Sequence, residues 1–238
     1  MKIRRLSEID LARIGPLDRD EKLHRLRKLK SGRPPHTYNP LRSSVGDILN
    51  LQPEMFDGGD YTGWNQISAD IEKKATSDSE ATFNLAVAEA LYDFGVRNDA
   101  KSFRKPINPW NVGYGQVVCY WWNLYTLLDG EPWFLFIDPR VNAPLTKLAR
   151  RFVFSLMHER IRVGDPDFAD SRLVVAQFDK VEEGRRAIRL FDAGDADLFS
   201  FDELNEMIDE TYRLWIEVLT ERAEEARSNP TGSTPLGF

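Results

Sequence analysis

The chain has 238 residues, of which 42% are hydrophobic and 11% aromatic, and its net charge is −6. That length and balance exclude global disorder and suffice for one good core. No run of about 18 apolar residues occurs and the first residues lack a signal-peptide apolar stretch, so a cytoplasmic protein without a transmembrane helix is expected.

The first 45 residues hold 12 Lys/Arg against 5 Asp/Glu, so the remaining body is strongly acidic. Ser7–Ile14 reads as a short helix closed by Gly15-Pro16. Asp18 and Glu21 form a capping box for a second helix, whose Leu23, Leu26 and Leu29 make a narrow packing face. Basic side chains crowd the same stretch, and Arg25, Arg27, Lys28, Lys30 and Arg33 are candidate nucleic-acid contacts. The competing reading docks this arm on the acidic body of its own chain or of a partner. Residues 31–45 read as an extended linker, because Pro34, Pro35 and Pro40 disfavour helix. The expected domains are therefore an arm and linker (1–45), one core domain (46–228) and a flexible tail (229–238).

Within the core, a Gly/Asp-rich turn is expected at 57–60, and Trp64, Ile67 and Ile71 suit a short helix. Ser77 and Glu80 open a longer helix through Phe94, with Phe83, Val87, Leu91 and Phe94 on its buried side. Residues 103–114 read as a loop or irregular edge strand. Residues 116–128 (QVVCYWWNLYTLL) are apolar and β-prone almost without interruption, as in a strand covered on both faces. Asp129-Gly130 is a hairpin turn signal, and Trp133–Ile137 returns as a strand. The single cysteine, Cys119, falls in this segment and excludes an intramolecular disulfide. A helix follows Pro144, strands are expected at Leu173–Phe178 and Ala187–Phe191, and Ser200 with Glu203 caps a long last helix. The class is α/β (α+β): a central mixed sheet built on a 115–138 hairpin, flanked by helices, with a basic helical arm and a long C-terminal helix.

Catalytic motifs are sparse. The sequence has no Gly-x-Ser-x-Gly elbow, Walker loop or Gly-x-Gly-x-x-Gly, and His24, His36 and His158 have no metal-ligand spacing. One carboxylate stands out: Asp138, where the strand FLFIDPR ends, followed by Pro139 and Arg140. The plain reading is a strand-end turn, and Glu80 has one too, as the closing member of its capping box. The order of elements over residues 77–180, with this acid and base on a central hairpin and Glu80 on the preceding helix, resembles the PD-(D/E)xK restriction-endonuclease-like superfamily. The resemblance implies a Mg²⁺ ion at Asp138, Arg140 in place of the usual lysine, and Glu80 as a further acid.

Geometry narrows such a site. Asp129 sits at the turn, on the order of 30 Å along the strand from Asp138, too far to share a metal. Depending on the turn register, Asn123 lies opposite or diagonal to Asp138, or Trp122 replaces it; Gln177 on the third strand either lines the same cleft or only hydrogen-bonds there. Asparagine adds no charge and arginine gives up no proton, so this site is divergent or inactive. Two functions compete: a nucleic-acid-associated protein with a divergent endonuclease-like core, and a non-catalytic protein–protein interaction or assembly protein whose arm and last helix bind partners.

Overall fold

The computed structural model describes residues 5–29, 37–53, 61–113, 115–182, 184–194 and 196–228. Helix α1 (Glu8–Ile14) is capped by Ser7, whose Oγ accepts from the Asp10 N–H at 3.1 Å, and α2 (Arg19–Lys28) by Asp18, which accepts from Glu21 N–H at 2.9 Å. Gly15 joins them under close contact: a Cβ there would lie 2.9 Å from Leu11 O and 3.1 Å from the Phe152 ring. Helix α3 (Asn39–Ile48) replaces the later part of the expected linker. Pro40 occupies its first turn, where the missing N–H would have no intrahelical partner in any case. Residues 31–36, the turn at 57–60 and the tail at 229–238 lie outside the described residues.

Helices α4 (Trp64–Lys74) and α5 (Asp78–Arg97) follow as the apolar spacing and Ser77 cap require. Val87, Leu91 and Phe94 are buried on α5, whereas Phe83 remains 38% exposed. Next come β1 (Lys101–Arg104), β2 (Trp110–Asn111), β3 (Val117–Val118), β4 (Leu124–Leu128) and β5 (Glu131–Asp138). Helix α6 (Lys147–Met157) continues into a π turn over His158–Arg162. Strands β6 (Arg172–Glu182) and β7 (Arg185–Asp192) and helix α7 (Phe201–Ser228) complete the chain.

The main sheet has the order β1-β4-β5-β6-β7, with β5 and β6 parallel and the other neighbours antiparallel. Asp129 and Gly130 take φ of 52° and 79°, the double positive φ of a type I′ turn. Side chains alternate across the central strands, as a pleat requires. Phe134, Phe136, Leu173 and Val175 face a core shared with α1, α2, α6 and α7, while Leu135, Ile137, Val174 and Ala176 face α3, α4 and α5. The result is a sheet between two helical layers.

The hairpin is shorter than 115–138. Residues 116–128 do not form one strand: β3 pairs with β2 in a separate small sheet, and only β4 joins β5. The cause lies in the side chains. Tyr120 and Trp121 are adjacent yet both enter the core beneath α1 and α6, which a strand of period two cannot arrange. Tyr120 is anchored there by its hydroxyl, which donates to Glu8 O at 2.6 Å.

Candidate functional site

Asp138 ends β5 fully buried. Its Oδ2 accepts from Leu145 N–H at 2.8 Å and from Gln177 Nε2 at 2.9 Å, and the Arg140 N–H reaches Oδ1 at 3.4 Å. Parallel pairing sets Gln177 directly beside Asp138, so the sheet itself brings these two predicted residues together. Gln177 Nε2 also donates to Leu145 O (3.1 Å), and Arg150 donates to the same carbonyl (2.7 Å). The carboxylate therefore ties β5, β6 and the entry to α6 into one node, with its oxygens already engaged by protein donors.

Three guanidinium groups surround this node. Arg140 turns away and pairs with Asp10 of α1 at 3.0 Å. Burial, with Arg140 next, pushes the Arg13 guanidinium below its ordinary pKa, and burial does the same to Arg150. Tyr38 donates to Pro139 O at 3.2 Å, and its phenol is pushed up by burial. Arg140 reaches a groove lined also by Tyr38, Phe83, Val141 and Arg186, but Asp138 does not.

The other predicted site residues are scattered. The β4–β5 ladder stops at Thr126↔Trp133, so Asn123 is exposed and outside it, and its carbonyl accepts from Lys105 N–H at 2.9 Å. Glu80 is buried at the start of α5, away from Asp138's bonds. One of its oxygens accepts from Thr37 and the other from Thr76, each through backbone N–H and hydroxyl at 2.7 Å. These bonds, led by the Thr37 hydroxyl, pull its pKa down to about 2. The carboxylate thus clasps the approach to α3 rather than closing a reciprocal box on Ser77. Among the described residues, no three His, Cys, Asp or Glu side chains are grouped to hold a metal ion.

Part of the basic arm pairs with its own chain. Helix α2 lies on α7, where buried Lys22 pairs with Glu210 and Arg27 meets Glu221 at 2.9 Å. Arg19 lies 3.9 Å from both Glu210 and Glu217. In return, Arg222 of α7 donates to the Leu26, Arg27 and Leu29 carbonyls at 3.4, 2.9 and 2.7 Å, satisfying the C-terminal end of α2. Leu26 is fully buried beneath this contact, and such burial contributes about 2 kcal/mol. Arg25 pairs with Glu21 at 3.2 Å, Lys28 is exposed, and Lys30 and Arg33 lie outside the described residues. A readable signal existed: Glu210, Glu217 and Glu221 recur on one helical stripe of α7, matching the basic face of α2.

Comparison with known proteins gives this arrangement its context. Residues 9–225 match the profile of a family described as the sliding clamp-binding bacterial toxin SocB. The chain is 35% identical over 234 residues, 98% of each chain, to the DNA replication inhibitor toxin SocB of Caulobacter vibrioides (strain NA1000 / CB15N). No solved structure matches. These matches overturn the nuclease-like and nucleic-acid-binding reading, since that family is defined by a protein partner. The structure agrees with that correction, because Lys22 and Arg27 of the arm pair with α7 and Asp138 is enclosed in a bracing node.

Proposed function

The chain belongs to the SocB family of sliding clamp-binding bacterial toxins, and from that premise we propose that it binds a DNA sliding clamp and thereby inhibits DNA replication. Near-full-length similarity to a replication inhibitor carries the reading. Inhibition by occupancy needs a folded surface and enough affinity, with no bond made or broken. That requirement agrees with a chain whose one prominent carboxylate serves as a brace. A replication inhibitor acts in the cytoplasm, and no helix of the described residues is long and apolar enough to cross a membrane.

The test uses the full chain and the purified clamp of the same organism. Saturable binding by calorimetry is expected, together with inhibition of clamp-dependent synthesis on a primed circular template. Added clamp should relieve the block in proportion, and the template should stay intact. Inhibition that persists at saturating clamp, or absence of binding, refutes the proposal.

A further inference from the structure

The two edges of the main sheet are treated differently. Along β1 the chain covers its own edge: Ser102 N–H donates to Asn50 O (3.0 Å), and Gln52 N–H donates to Ser102 O (2.8 Å). The opposite edge, β7, is an eight-residue strand, and no backbone group of Arg185–Asp192 bonds any described residue except on β6. An edge of this length that no described residue covers is a template for another strand.

The register shows which groups are free. Ala193 N–H donates to Leu173 O at 2.9 Å, continuing the β6–β7 ladder. Antiparallel ladders alternate, so Phe191, Arg189 and Ala187 also turn their backbone groups to β6. Arg186, Ile188, Leu190 and Asp192 therefore present theirs outward, with side chains on the α5 face. Read in order, these four are cation, apolar, apolar, anion. Such a sequence is complementary to itself when antiparallel. With Ile188 opposite Leu190 of a second copy, Arg186 falls opposite Asp192 at both ends.

We propose that the chain forms a two-fold symmetric dimer by antiparallel pairing of β7 with β7 of a second copy, joining both main sheets into one. An isologous contact of this kind closes on itself and leaves no further edge to extend. Arg186 is the residue that most needs the partner. It has no carboxylate within ion-pair distance among the described residues. Asp192 holds Arg172 at 2.6 Å, and a carboxylate has lone pairs for a second guanidinium. The same register sets Arg189 against its own copy, but each Arg189 carries Asp179 at 3.2 Å as a counter-charge. Val96 and Leu148 remain 46% and 38% exposed on the helices beside this edge, supplying apolar area on either face of the joined sheet.

Sedimentation velocity of the full chain over a dilution series tests the proposal. The expected result is a dimer at high concentration that dissociates on dilution. Arg186→Asp and Asp192→Arg should each weaken association at least about tenfold, because both ends then oppose like charges. An equimolar mixture of the two variants should recover the dimer, since opposite charges again meet at both ends. Arg186→Pro removes an outward N–H without touching the β6 ladder, and should give a folded monomer by circular dichroism. A wild-type chain that stays monomeric throughout overturns the proposal, including the case in which β7 serves an acidic strand of another protein. A dimer unaffected by Arg186→Asp and Arg186→Pro, or variants that do not recover on mixing, overturns it equally.

Discussion

Asp138→Ala should destabilise the protein by about 3–5 kcal/mol, and the number follows from what the carboxylate holds. Two hydrogen bonds to the carboxylate are lost, from Leu145 N–H at 2.8 Å and Gln177 Nε2 at 2.9 Å. Each bond to a charged group is worth about 1.5–3 kcal/mol, and both donors remain in a site closed to water. Arg13 and Arg150 also lose a counter-charge that raises their pKa values, which adds to the cost in the same direction. For a chain of this size the loss corresponds to about 6–20 °C in Tm. Urea unfolding followed by tryptophan fluorescence measures it, and the Asp138→Ala/Gln177→Ala double variant supplies the check. The two changes should be far from additive, because removing Gln177 also removes one of the orphaned donors. If Asp138→Ala unfolds within about 1 kcal/mol of wild type, the node is not the brace described above.

Glu80 makes the protein's acid response predictable. Its folded pKa of about 2 lies below the ordinary 4.5 of a glutamate, so its contribution to stability is present above pH 4.5 and is lost as pH falls towards 2. Wild type should therefore exceed Glu80→Gln in stability at pH 5 and approach it by pH 2; a gap independent of pH would show that ionisation of Glu80 is irrelevant. Arg222→Ala should free the C-terminal end of α2, and hydrogen exchange over residues 19–29 should accelerate while exchange in β5 and β6 stays slow. Uniform acceleration across the chain would mean that α2 is not held locally by that guanidinium. The Cys119 thiol is pushed up to about 11, chiefly by burial. Alkylation by iodoacetamide at pH 7 should run at least about tenfold slower than that of free cysteine, and a comparable rate would place the thiol in open solvent.

The sequence has no Gly-x-Ser-x-Gly elbow, Walker loop or Gly-x-Gly-x-x-Gly from which an activity could be read. Asp138-Pro139-Arg140 stands out because it puts a carboxylate where a buried strand emerges. Its chemistry depends on what converges there, and that is set by Gln177 and Leu145 through sheet pairing and a loop. Asn123 failed to join them because the side chains of Tyr120 and Trp121 pull residues 119–123 off the ladder.

The local elements were determined by the sequence alone. Ser7, Asp18, Ser77 and Ser200 each begin a helix, Asp129-Gly130 makes the turn, and β5 and β6 are apolar on both faces. Those outcomes depend on interactions within about four residues, or on one strand's pattern, and such energies are written in adjacent letters. Tertiary structure decided the rest. Whether the basic arm meets a partner or its own chain turned on Lys22 finding Glu210 and Arg27 finding Glu221, contacts spanning 188 and 194 residues. Complementary charges far apart in the chain show only that such a match can form. The packing of Leu26 beneath α7 is what holds α2 where those charges meet.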